Sequence, residues 1–198
     1  LMTFNRAGKT TVETVIEAEP TVILGVHTCD LYALRVLDAA FTQDYPDAHF
    51  LRRRNQTLLV GIECLEACDE HSFCKSMGTL SVGNGYDLHL TDLGEAYAVD
   101  VGSEDGAELL DKHAEAYPAT EVDMQQLNKV LGAKWPRFPY KLEFDVDELP
   151  ALMNQSYDSP VWDELAEICL ACGTCTMVCP TCFCFNVYDN VELNLQEG

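Results

Sequence analysis

The sequence predicts two unlike parts: an N-terminal α/β domain with a small mixed sheet, followed by a mostly α-helical, cysteine-rich domain. Three observations carry this. Two short apolar, β-branched runs, Thr21 to Val26 and Thr57 to Ile62, read as strands that each end in a polar turn. Stretches with apolar residues at helical spacing follow them. Lastly, Cys169, Cys172, Cys175 and Cys179 stand near the C-terminus in the pattern C-x2-C-x2-C-x3-C-P, around a turn that contains Gly173.

Taken in order, the first run (TVILGV) reads as a buried strand ending at His27-Thr28-Cys29-Asp30. Leu31, Leu34, Val36, Leu37, Ala40 and Phe41 then recur near helical spacing, with Asp30 as the expected N-cap. That places Cys29 at a helix N-terminus, where the dipole favours a thiolate. Arg52-Arg53-Arg54 reads as a solvated basic patch before the next strand, with contact to a partner or an anionic cofactor as the other reading.

The second strand (TLLVGI) runs into a loop carrying Cys64, Cys68, His71 and Cys74. If the two strands are parallel neighbours, their carboxyl ends bring Cys29 beside Cys64, Cys68 and Cys74, at the end of an open α/β sheet where ligand sites lie. This is a candidate second cluster site; buried free thiols are the plainer alternative. His71 could replace one thiol, although a lone loop histidine is more often just exposed.

Val82-Gly83-Asn84-Gly85 is turn chemistry, and residues 87–93 and 96–101 alternate as a hairpin around Gly94-Glu95. Gly102-Ser103 opens an amphipathic helix over roughly 104–116, ahead of Pro118. Thr120 with Asp123 has the form of a capping box for a further helix. Trp135-Pro136-Arg137-Phe138-Pro139 reads as the start of a linker. The expected organisation is therefore an α/β domain over 1–134, a linker over 135–158 and a helical domain over 159–198. Ser159-Pro160 caps the helix that delivers Cys169, with Val161, Leu165 and Ile168 on one stripe; Cys182 and Cys184 follow as extras.

The C-terminal spacing is that with which ferredoxin-like domains hold a [4Fe–4S] cluster. Three thiolates two residues apart on a tight loop curl around one cubane. The fourth, set back by three and followed by Pro180, serves a second cluster in two-cluster proteins. Cys169, Cys172, Cys175 and Cys179 are thus the expected metal ligands, and Cys29, Cys64, Cys68 and Cys74 the candidate cofactor-binding set. A structural or regulatory zinc module without a redox role is the alternative use of four thiolates. A thiol–disulfide enzyme fits poorly with overlapping C-x2-C pairs that end in Cys-Pro. The spacings of the ten cysteines are those of metal ligands rather than of a disulfide framework, which points to a reducing cytoplasm.

Charge narrows the partners. Twelve basic residues against 33 acidic ones give a net charge of −21, which argues against nucleic acid or an anionic membrane surface. Residues 142–198 contain eleven Asp and Glu and no Lys or Arg. An acidic face beside a redox centre suits steering toward a basic partner; a generally acidic proteome would produce the same bias. No apolar run approaches the ~20 residues of a membrane span, so direct membrane insertion is not expected. The chain begins at Leu1 and carries a single half of a paired cysteine motif, from which a fragment of a longer subunit is expected.

At HTCDLYAL, FCKSMGT, DLHLTDLG, VGSEDG, CLACGTC and CPTCFCF the chain resembles one group of iron–sulfur proteins. These are the 4Fe–4S dicluster electron-transfer subunits of anaerobic sulfite reductase and of soluble sulfhydrogenase, in the latter its β chain. The resemblance covers roughly residues 20–190. It implies a non-catalytic electron-transfer role between a catalytic subunit of sulfite reductase or nickel–iron hydrogenase type and a flavin-containing NAD(P)H subunit. It also implies a further C-x2-C-x2-C-x3-C-P segment downstream, so that Cys179, or else Cys182 or Cys184, would complete the site within this chain. Where the family reads TCFC, this chain has Ser72-Phe73-Cys74 with Cys68 nearby.

Overall fold

The computed structural model describes residues 2–5, 9–183, 191 and 193. A hairpin of β1 (Met2–Asn5) and β2 (Thr11–Thr14) forms a small antiparallel sheet of its own. The main sheet has four strands in the order β3 (Thr21–His27), β4 (Thr57–Ile62), β5 (Leu88–Asp92) and β6 (Tyr97–Val101). The first three run parallel and β6 is antiparallel to β5, as expected of a small mixed sheet with the hairpin at its end.

Two parallel neighbours need a crossover, and α1 (Thr28–Thr42) with α2 (Ala48–Arg54) supplies it. Asp47 caps α2 by accepting from the Phe50 amide at 2.6 Å. The three arginines form the last turn of α2, where cations complement the helix dipole. Two of them are structural rather than merely solvated. Arg54 pairs with Asp38 of α1 at 3.1 Å, and Arg53 donates to the Glu17 carbonyl at 3.1 Å.

Two expectations need correction. Helix α1 begins at Thr28 with His27 as its N-cap, so Asp30 sits inside the first turn, favourable to the dipole but not the cap. Strand β3 is not buried: Val22, Ile23 and Leu24 are 49, 44 and 72% exposed and only Val26 is enclosed. The physical reason is position. β3 pairs on one side only, at the sheet edge, whereas β4 lies between two strands and buries Leu59, Val60 and Gly61.

The core sits where α1 crosses β4: Val26, Leu31, Leu59 and Tyr86 form one cluster, with Leu34 and Val82 packed against it. Asp87 ties the next element in. Its carboxylate accepts from the Leu59 amide at 2.7 Å and from the Ser103 hydroxyl at 2.6 Å. Ser103 in turn caps α3 (Glu104–His113), which ends earlier than the periodicity predicts. The Thr120–Asp123 capping box forms as expected and starts α4 (Glu121–Lys134). After a 3₁₀ turn at Trp135–Arg137, Phe138 is buried, so the start of the expected linker packs as part of the fold. Three short helices follow: α5 (Leu149–Gln155), α6 (Val161–Ile168) and α7 (Thr174–Val178). The Val161, Leu165 and Ile168 stripe of α6 is exposed.

Candidate metal centres

The parallel pairing of β3 with β4 puts the first two candidate cysteines at neighbouring strand ends. Cys29 is the second residue of α1, immediately beyond β3, and Cys64 lies two residues beyond β4. Thr28, fully enclosed, donates its hydroxyl to the Cys64 sulfur at 3.7 Å. Cys68 and Cys74 sit on the loop that follows. Cys64 and Cys74 lie within electrostatic range of both Cys29 and Cys68.

The thiolate expected at Cys29 is corrected. Burial, then Asp30, Cys74 and Cys64, push its thiol up to about 11, against a smaller lowering from the Asp30 amide. The helix N-terminus pulls in the predicted direction but loses to desolvation and to neighbouring negative charge. Burial also raises Cys68, with Cys64, Cys74 and Asp69 adding to it. His71 is exposed beside Glu70, the plainer of its two readings.

The loop holding Cys64, Cys68 and Cys74 has no helix or strand. Local bonds shape it instead. The Asp69 carboxylate accepts from the His71 amide at 2.8 Å and the Ser72 hydroxyl at 3.0 Å, and the Cys74 carbonyl accepts from the Thr79 amide at 3.0 Å.

The C-terminal cysteines are presented in the open. Cys169 caps the end of α6, Cys175 lies within α7 and Cys179 ends it. Cys169, Cys172, Cys175 and Cys182 are exposed and Cys179 is half-buried. Cys184 lies outside the described residues. Backbone at Ala171 (φ 51°) and Gly173 (φ 74°) is left-handed on either side of Cys172. Turns of this kind aim backbone N–H groups at an anion, a feature of many iron–sulfur sites. One such bond is present, from the Ala171 amide to the Cys169 sulfur at 3.4 Å.

Hydroxyls tune two of these thiols. Thr174 lies 3.3 Å from Cys172 and Thr181 lies 3.0 Å from Cys179, and each hydrogen bond holds its thiol below the ordinary range. Cys182, bonded to Cys179, is pushed up. All nine cysteines among the described residues are free thiols. Free, accessible thiols around a turn with left-handed backbone on either side of Cys172 fit the donor chemistry of an iron–sulfur cluster. Among the described residues, no three His, Cys, Asp or Glu side chains stand together as a metal-binding group.

Sequence reasoning missed a buried polar cluster directly behind Cys64. Glu63, His89 and Lys134 are all buried. The Lys134 ammonium pairs with the Glu63 carboxylate and donates to the Leu80 carbonyl at 3.1 Å and to the Ser81 hydroxyl at 2.7 Å. His89 Nε2 stands 3.8 Å from the same carboxylate. A lone Lys at a helix C-terminus reads as an exposed dipole partner, and only the Glu directly after an apolar strand hinted otherwise.

The family model for the 4Fe-4S dicluster domain matches residues 168–198, a run that opens one residue before Cys169. Sulfhydrogenase 2 subunit beta of Pyrococcus furiosus is 36% identical over 169 residues, which cover 85% of this chain and 49% of that protein. The chain thus spans about half the length of this curated relative. No solved structure matches it. With a cysteine run of cluster spacing inside the matched residues, the chain carries a 4Fe-4S dicluster domain over residues 168–198, and along most of its length it is similar to the beta subunit of a sulfhydrogenase.

Proposed function

We propose that the chain is an electron-relay subunit, passing single electrons between a catalytic subunit of hydrogenase or sulfite reductase type and a flavin-containing NAD(P)H subunit in the cytoplasm. The observation that carries this reading is the C-x2-C-x2-C-x3-C-P run inside the residues matched by the dicluster family. The similarity to a subunit of a sulfhydrogenase supports the choice of complex.

In this reading the helical, ferredoxin-like domain over 159–198 holds a [4Fe–4S] cluster through Cys169, Cys172 and Cys175, with Cys179 as the fourth ligand or as the ligand of a paired cluster. Cys29, Cys64, Cys68 and Cys74 hold another at the carboxyl ends of β3 and β4. A bound cluster supplies one-electron redox chemistry, at a potential set by net charge, hydrogen bonds to sulfur and exposure. The protein's share is to present the sulfur ligands, donate N–H and O–H bonds to sulfur, and supply an acidic segment around them in sequence. Eleven acidic residues without a cation over 142–198 lower the potential there and steer a basic docking face onto it.

Anaerobic purification with metal analysis tests the reading: a brown protein with about four iron per cluster is expected, and a colourless protein with zinc sinks it. Cys172→Ala is expected to remove the C-terminal cluster's share of the ~400 nm absorbance and to cut electron flow. Full absorbance and iron content in that variant would overturn the ligand assignment.

A further inference from the structure

We propose that Lys134 is a positioning residue for the N-terminal thiol site: its buried ammonium closes the loop that carries Cys64, Cys68 and Cys74. This rests on the reading of that site as a cluster site, and the experiment below separates the two.

The loop begins at Glu63, where β4 has ended, and reaches Leu80 and Ser81 without regular structure. Unstructured segments beyond about 12–15 residues are uncommon inside compact domains and usually functional. An ammonium has three N–H donors. Those of Lys134 meet the Glu63 carboxylate at the start of the loop, and the Leu80 carbonyl and Ser81 hydroxyl at its end. One side chain, 71 residues from Glu63 in sequence, therefore pins both ends of the segment that holds three of the four thiols.

The neighbouring stretch adds two weaker ties at the middle of the same loop. Lys75 donates to the Trp135 carbonyl at 3.3 Å, and the Leu142 amide donates to the Ser76 hydroxyl at 3.1 Å. Lys75 and Ser76 flank Cys74 on its C-terminal side.

Stability alone is a poor reason for the charge. Lysine is almost never fully buried unless paired, and replacing a buried ion pair by apolar groups of similar volume is often neutral or better. What an apolar side chain at position 134 lacks is directionality: it cannot hold a carboxylate, a carbonyl and a hydroxyl at once. A loop pinned in this way presents its thiols in one arrangement before any cluster arrives, which lowers the ordering cost of assembly.

The test uses the intact reduced subunit, stripped of metal by chelation. The double variant Glu63→Gln with Lys134→Met removes both charges and strands neither. It is expected to keep its circular dichroism and cooperative melting. Iodoacetamide labelling of Cys64, Cys68 and Cys74, read peptide by peptide, is expected to accelerate about tenfold or more, as loss of a charge-assisted bond does to a local opening equilibrium. Labelling of Cys169, Cys172 and Cys175 is expected to stay unchanged. Should the double variant unfold, Ser81→Ala takes one acceptor from the ammonium and is expected to move the same three rates in the same direction by about threefold. Unchanged rates in a folded variant overturn the proposal. A triple Cys64, Cys68 and Cys74 to Ala variant that reconstitutes with undiminished iron overturns the cluster reading instead, whatever the labelling shows.

Discussion

Lys134 and Glu63 form an ion pair in which both side chains are nearly sealed from solvent. Lys134→Met alone leaves a carboxylate buried beside a histidine, and such stranded charges cost about 3–5 kcal/mol. Adding Glu63→Gln to it is expected to recover most of that loss. Urea unfolding of the two variants, compared at equal m-value, checks the ordering.

Gly61, next to the last residue of β4, has no room for a side chain. A Cβ there would lie 2.7 Å from His89 Cδ2 and 2.9 Å from Leu31 Cδ1, and Leu31 is completely enclosed. Gly61→Ala is expected to destabilise the fold by about 1–3 kcal/mol, the usual cost of overpacking. A shift in the denaturation midpoint measures it.

Cys29 makes the metal-free chain sensitive to alkali. Its thiol is raised from an ordinary 9.0 to about 11, so the folded state holds the proton more tightly than the unfolded one. The stability this contributes is complete below about pH 9 and disappears as pH rises through about 11. In Cys29→Ala the fall in melting temperature over this range is expected to be shallower.

His89 acts on the acid side. Burial holds its imidazole below the ordinary 6.5, against smaller upward pulls from Glu63 and Asp100. The folded state therefore resists protonation, and the associated stability, present above 6.5, is lost as pH falls below that value. His89→Gln is expected to flatten the stability profile on the acid side of about pH 6.5, measured by urea titration at each pH.

Thr174→Val is expected to slow alkylation of Cys172 at neutral pH in the metal-free chain. The Thr174 hydroxyl bonds the Cys172 sulfur and holds its thiol below the ordinary range, and removing it lowers the thiolate fraction. The rate-against-pH curve for Cys172 should move to higher pH with its plateau unchanged.

Much of this protein is determined locally, and local physics is what a sequence displays. The Thr120–Asp123 capping box, the hairpin of β5 and β6, and the strand–turn–helix at Cys29 depend on residues close together in the chain. The spacing from Cys169 to Cys179 belongs here too, since cluster chemistry reads intervals rather than shape. The neighbourhood of Cys29 with Cys64 and Cys74 also followed, because parallel strands must bring their carboxyl ends together.

Tertiary structure decided what depends on burial and on partners distant in sequence. An apolar run such as TVILGV reads the same in the centre of a sheet or at its edge, and only the strand order exposed Val22, Ile23 and Leu24. A helix N-terminus predicts a lowered thiol at Cys29; desolvation and three negative neighbours reversed it. Lys134 gave no local sign of its role, because its three acceptors come from the two ends of a loop more than fifty residues away.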